Sequence, residues 1–307
     1  MHIPDGFLST NVWALGWLIS IAGISYCLKK ASKILKDRMI PLMGVMASFI
    51  FVAQMINFPI FGGTSGHLLG AVLATVLLGP SAGAVVITVV LITQCFIFQD
   101  GGLIALGVNI FNMAIVGCFI GYFIYNIFRK VIKNSRGILI GVFLASWFSV
   151  VFSSSFCAIE LAISGVSPFN IVFPAMSFVH IFIGLGEAII TSFVVSFVLK
   201  VRPDLIYKSD KKNTINRNDI ILILTMAILI AVFIAPFASQ LPDGLEKVAI
   251  DKGFLEKSKT VLNTIIPDYI FPGFKNEKLA VGIAGLTGSL VLFGVGYGLS
   301  KCIKKNK

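Results

Sequence analysis

Nine stretches of mostly apolar residues, parted by short polar breaks, dominate the chain. They cover 11–28, 39–57, 67–79, 81–98, 103–128, 137–160, 171–199, 219–236 and 279–300. A helix needs about 20 such residues to cross the hydrocarbon core of a bilayer. Most runs reach that length or nearly so. The third is short and starts at His67, directly after FGGTSG. We expect a partial span there, because irregular backbone at membrane depth must be buried in protein or line a cavity. The pattern predicts an all-α polytopic membrane protein of about nine transmembrane helices.

The longest polar break, KVRPDLIYKSDKKNTINRND at 200–219, divides the runs into seven and two. This predicts a seven-span domain over 1–200 and a two-span module over 201–307. The last two runs bracket a charged loop at about 237–278 that carries PDGLE at 242–246. No fixed-period repeat is visible.

Composition supports the membrane class. The chain is 57% hydrophobic and 13% charged, where a soluble domain carries roughly 25% charged residues. The net charge of +11 would suggest nucleic acid if it were spread over one face, but it is not. Nineteen of the 25 Lys and Arg fall in 29–38, 129–136, 200–217 and 301–307, alternate breaks between runs. By the positive-inside rule these breaks face the cytoplasm, so both the N-terminus and the 237–278 loop lie outside. The first nine residues hold no Lys or Arg, and the basic cluster KKASKILKDR follows the first run. A secretory signal has the opposite order, so Met1 is expected to remain, and the bulky His2 also disfavours its removal. The five cysteines form no C-x-x-C pair and read as small residues of membrane helices.

Only three histidines occur, at 2, 67 and 180. His2 beside a free amine forms a chelating unit of three nitrogens: the α-amine, the residue-2 backbone nitrogen and the imidazole Nδ1. His67 lies at the same end of the bundle and can fill a fourth position. Four planar nitrogens suit Ni(II), Cu(II) and, less decisively, Co(II). They do not suit tetrahedral zinc or oxygen-seeking Ca and Mg. The amine must lose its proton to bind, so affinity weakens as pH falls. An incidental second residue and a polar helix cap fit the same spacing.

His180 and Glu187, seven apart, share a helix face two turns apart. Ionisable groups inside a span are functional candidates, and a buried polar network is the plainer role. Asp5, Ser65, Asn109 and Asn112 are similar candidates for holding ligands in place. Glu160 reads as an exposed end charge. Gly44-x-x-x-Ser48 and Gly70-x-x-x-Ala74 have the small-residue spacing that seats a partner helix.

MHIPDGFLS at the N-terminus, GGTSGHLLG at 62–70, ALGVNIFNMA at 105–114 and HIFIGLGEAI at 180–189 resemble the NikM/CbiM family. These are substrate-binding subunits of energy-coupling-factor (ECF) nickel and cobalt transporters. The tail is similar to the NikN-type PDGLE partner, here fused to the same chain. The resemblance implies high-affinity capture of Ni2+ or Co2+ as cargo, with Met1, His2 and His67 as the metal donors and no prosthetic cofactor. It implies multi-pass residence in a prokaryotic cell membrane and an accessory loop that assists loading. It also implies two kinds of partner, a coupling membrane protein of the NikQ/CbiQ type and ATPases of the NikO/CbiO type.

An enzyme of another class offers a rival reading. GTSG at 63–66 fits G-x-S-G, and His180 precedes a Gly-x-Gly pattern. A rhomboid-type intramembrane serine protease would use Ser65 as nucleophile and His180 as base. That reading leaves His2, His67 and PDGLE without a task, and the Trp-Arg loop of that family is missing. No H-E-x-x-H and no P-loop occur, so any ATP hydrolysis belongs to other subunits.

Overall fold

A computed structural model describes residues 1–35, 37, 39–207 and 216–305. Positions 208–215, the middle of the polar break that divides the two modules, lie outside the described residues.

The apolar runs are helical. In order, they are α1 (Thr10–Ile34), α2 (Met39–Met55), α3 (Ala71–Leu78), α4 (Pro80–Thr93), α5 (Leu106–Asn109), α6 (Gly117–Val131), α7 (Ser135–Ile163), α8 (Phe169–Val201), α9 (Arg217–Phe233), α10 (Gly244–Asp251) and α11 (Glu277–Lys305). A two-stranded antiparallel hairpin, β1 (Phe58–Ile60) and β2 (Thr64–Gly66), lies between α2 and α3. Two π-helical stretches, Gln94–Phe98 and Ile110–Val116, extend α4 and join α5 to α6. Such stretches are often found at functional sites.

Among the described residues seven helical segments are long and apolar enough to cross a membrane, and the shorter apolar helices α2 and α3 occupy the other two runs. α2, of 17 residues, falls just short of that length. α3 holds only eight residues, as a partial span requires. Its limits are set by the hairpin before it and by Gly79-Pro80 after it, since Pro80 supplies no N–H to extend a helix from its N-terminal side.

Burial sorts the helices by environment. α4 is buried on nearly every side, and an all-round apolar helix belongs at the centre of a bundle. α1 and α9 bury few residues and present Leu15, Leu18, Ile21, Leu222, Met226 and Leu229 outward, where lipid covers them. The C-terminal helix joins the bundle through small residues. A Cβ added to Gly44 would lie 2.8 Å from the Phe293 carbonyl oxygen, and one on Gly296 would lie 3.1 Å from the Gly44 Cα. The Gly44-x-x-x-Ser48 spacing therefore seats a helix of the same chain. Gly70 does the same just ahead of α3, where φ is +74° and a Cβ would lie 2.9 Å from Ile50 of α2.

Chain alternation gathers the N-terminal segment, the hairpin, the 99–105 loop and the 238–276 loop at one end of the bundle. The charge count assigns that end to the outside. Of the five cysteines, four are buried singly in the helices and Cys302 is exposed.

Candidate metal centre

The first nine residues do not trail into solvent. They fold back into the bundle, where Ile3 and Phe7 are fully buried and pack with Val108, Met176 and Leu245. The main chain fixes their path. Ile3 donates its N–H to Asn109 Oδ1 at 2.8 Å, and the Ile3 carbonyl accepts from Asn109 Nδ2 at 3.0 Å and from the Gly102 N–H at 2.9 Å. Asp5 sends its carboxylate the same way and accepts from the N–H groups of Leu103, Ile104 and Ala105 at 2.9, 2.7 and 3.1 Å. Only a residue without a side chain fits opposite it, since a Cβ on Gly102 would lie 2.3 Å from the Asp5 nitrogen. On its other side Asp5 pairs with Lys259, whose N–H donates to the Asp5 carbonyl at 2.8 Å.

His67 arrives from the hairpin. Gly62 and Gly63, with φ +86° and +71°, make the left-handed turn that other residues adopt at a cost. Strand β2 is bound along its free edge by the C-terminal module. The Ser65 N–H donates to the Pro242 carbonyl at 2.8 Å, Ser65 Oγ to the Leu241 carbonyl at 2.7 Å, and Thr64 Oγ1 to the Pro242 carbonyl at 3.0 Å. Past the strand, Glu187 of α8 accepts the N–H groups of Leu69 and Gly70 and so holds the backbone just beyond His67.

These constraints bring Met1, His2 and His67 together. The Met1 amine is 3.3 Å from His67 Nε2, and the His2 and His67 rings stack 5.1 Å apart, 10° from parallel. His67 Nδ1 donates to the Leu68 carbonyl at 2.9 Å, because a carbonyl oxygen can only accept. That fixes the tautomer and leaves the Nε2 lone pair facing the amine. Burial, and then the neighbouring N-terminal ammonium, push the His67 imidazole down to about 3, so the ring stays neutral.

Two carboxylates complete the site, and neither was among the residues singled out from sequence. Asp243, the acid of PDGLE, lies 2.6 Å from the Met1 amine and also caps α10 by accepting the Glu246 N–H. Asp100 lies 2.8 Å from His2 Nδ1 and accepts from the Tyr269 hydroxyl, which in turn accepts from Gln94 Nε2 at 3.0 Å. Burial alone would raise both acids. For Asp243 the N-terminal ammonium, the Glu246 N–H and His67 together outweigh it, and for Asp100 His2, His67 and the Tyr269 hydroxyl do, so both stay well below the usual carboxylate range. Burial and Asp100 push the Tyr269 hydroxyl well above its ordinary value, which keeps it a donor. A cavity of about 270 Å³ opens beside His2 and His67, and Asp100, Asp243, Glu246 and Asp268 face it. Such a concentration of one sign draws cations.

In this arrangement the amine, His2 Nδ1 and His67 Nε2, three of the four candidate nitrogens, are adjacent but do not converge, since His2 Nδ1 faces Asp100 and the amine faces Asp243. Among the described residues no three His, Cys, Asp or Glu side chains form a metal cluster. The donor set read from sequence escapes such a search because two of its four nitrogens belong to the main chain.

The other candidates divide. Asn109 clamps Ile3, whereas Asn112 lies apart and donates to Glu160 at 2.6 Å. Glu160 is thus a partnered, half-buried group and not an exposed end charge, because the π-helical turn aims Asn112 at it. The protease pair does not form. Ser65 Oγ donates to Leu241, His180 Nδ1 faces the Met176 carbonyl at 2.8 Å, and among the described residues no hydrogen bond joins Ser65 to His180.

Seven membrane-length helices with a buried polar cavity at one end define a multi-pass membrane protein. Residues 2–205 match the family described as cobalt uptake substrate-specific transmembrane region, CbiM, and residues 217–305 match the PDGLE domain. The chain belongs to the CbiM family. It is 34% identical over 306 residues to a putative fused nickel transport protein NikMN of Archaeoglobus fulgidus, covering 98% of both chains. It is 33% identical to the fused nickel transport protein NikMN of Rhodobacter capsulatus, over 67% of this chain and 64% of that one. A solved structure titled as a truncated transition metal transporter superposes with a TM-score of 0.60 at 32% identity. It covers 65% of this chain and 99% of its own.

Proposed function

We propose that the chain captures Ni2+, Co2+ or both from outside and imports the ion as the substrate-binding subunit of an ECF-type transporter. The observation that carries this reading is the 3.3 Å approach of the Met1 amine to His67 Nε2, with the His2 ring stacked alongside. To load an ion, the amine leaves Asp243 and His2 Nδ1 turns from Asp100. The amine, the residue-2 nitrogen, His2 Nδ1 and His67 Nε2 then supply four planar nitrogens, a set suited to Ni(II) and Co(II). The carboxylate-lined cavity concentrates the hydrated ion beside these donors. The fused relatives, which share this two-part organisation, are named for nickel, and that inclines the reading towards nickel.

Residues 1–200 act as the metal-binding domain, and 201–307 act as an accessory module whose loop assists loading. The two family matches, 2–205 and 217–305, support that division. ATP hydrolysis falls to separate ATPases acting through a coupling membrane protein, since this chain has no P-loop. Uptake of labelled nickel into cells tests the reading. Uptake should require the chain, its partner ATPases and an intact His67, whereas full uptake without ATPases would make the chain a facilitated carrier.

A further inference from the structure

His180 is absorbed by none of the roles above. It is 1% exposed, within α8. Its Nδ1 faces the Met176 carbonyl and must donate to it, so Nε2 carries the lone pair. Metal-ligating histidines are held in this way, with one ring N–H on a backbone carbonyl and the other nitrogen free. That free Nε2 is buried and has no hydrogen-bond partner. It lines a cavity of about 20 Å³ whose other polar walls come from Met1, His67 and Asp243. The volume takes one water-sized species. Gly244 of the PDGLE segment leaves the space open, because a Cβ there would lie 3.1 Å from His180 Nε2. A buried imidazole lone pair without a partner is costly, and an apolar residue would pack here more cheaply.

We infer that His180 is the entering ligand that moves the ion off the N-terminal nitrogens. The inference rests on the donor set proposed above. Square-planar d8 ions exchange ligands associatively, through a fifth donor that attacks before an old bond breaks. His180 Nε2 forms the new metal–nitrogen bond from the small cavity, and the metal–amine bond then breaks. The freed amine lone pair takes a proton from solvent water and returns to Asp243. The metal keeps its charge, and one bond is gained for one lost. Such a ligand speeds exchange in both directions and leaves equilibrium affinity nearly unmoved.

The test measures nickel release from the full chain in detergent into excess chelator. His180→Ala should slow release at least tenfold with Kd changed less than threefold, and added free imidazole should restore the rate by filling the vacated space. A merely structural histidine would not give that rescue. Release unchanged in His180→Ala, or slowed but not restored by imidazole, overturns the inference. Should the alanine variant fail to fold, His180→Gln keeps the volume and a hydrogen bond to Met176 without the imidazole; slowed release supports the inference and unchanged release overturns it. A parallel His67→Ala variant separates the two levels. If it captures nickel undiminished, the donor set itself fails and takes this inference with it. If it loses capture while His180→Ala releases normally, only the role of His180 falls.

Discussion

The Met1 amine and the Asp243 carboxylate, 242 positions apart, meet at 2.6 Å. The first residue of the chain is thus held by the acid of PDGLE, from the C-terminal segment that matches the PDGLE domain. Replacing Asp243 with Asn removes the charge but keeps the shape. Loss of one charge-assisted hydrogen bond, about 1.5–3 kcal/mol, loosens the N-terminal segment. Hydrogen exchange at the Ile3 amide should accelerate at least tenfold in Asp243→Asn, with α4 unaffected.

Asp5 satisfies three N–H groups that otherwise have no partner at the start of α5. Asp5→Ala should destabilise the chain by about 2–4 kcal/mol, because buried donors lose their acceptor. Asp5→Asn, which retains one acceptor oxygen, should cost roughly half as much. Thermal unfolding in detergent measures both.

Glu187 does not touch the donors but holds the backbone that follows His67. Groups that orient a ligand typically carry 10- to 100-fold of metal affinity. Glu187→Gln, which turns one acceptor into a donor facing Leu69 and Gly70, should weaken nickel binding by about that factor in titration calorimetry.

The His67 imidazole is lowered from its ordinary 6.5 to about 3, so its linkage has a definite sign. Between those values the unfolded chain takes a proton that the folded chain refuses, and stability falls as pH drops. The slope from this group is about 1.4 kcal/mol per pH unit. His67→Gln should flatten the stability profile between about pH 6.5 and 3. Metal binding has a separate dependence, since loading releases protons from the amine and the residue-2 amide. Affinity should therefore fall with pH by up to about a hundredfold per unit while both protons are displaced.

Much of this was legible in sequence, for reasons specific to membranes and to nitrogen chemistry. Lipid demands long apolar runs, so helices α4 and α6 to α9 lie where the runs do. His2 beside the amine is a chelate by covalent structure alone, and it needs only His67 to come near. The third run is short in sequence and short in the fold, eight residues of helix bounded by the hairpin and by Gly79-Pro80. Asp243 was visible only as part of PDGLE, and nothing local ties it to residue 1. Asp100 and Tyr269 meet across 169 positions, and Asn112 finds Glu160 through a π-helical turn that carries no period of its own. Pairings of that kind depend on the assembled bundle.

The proposed loading depends most on the chain's own amine acting as a metal donor. One added residue ahead of Met1, or a retained formyl group, removes that donor, together with the charge that pairs with Asp243, and changes no side chain. We predict that nickel affinity of the otherwise intact protein falls by at least a hundredfold in titration calorimetry, with unchanged thermal stability of the helical bundle. Undiminished nickel binding by the extended chain would contradict the account.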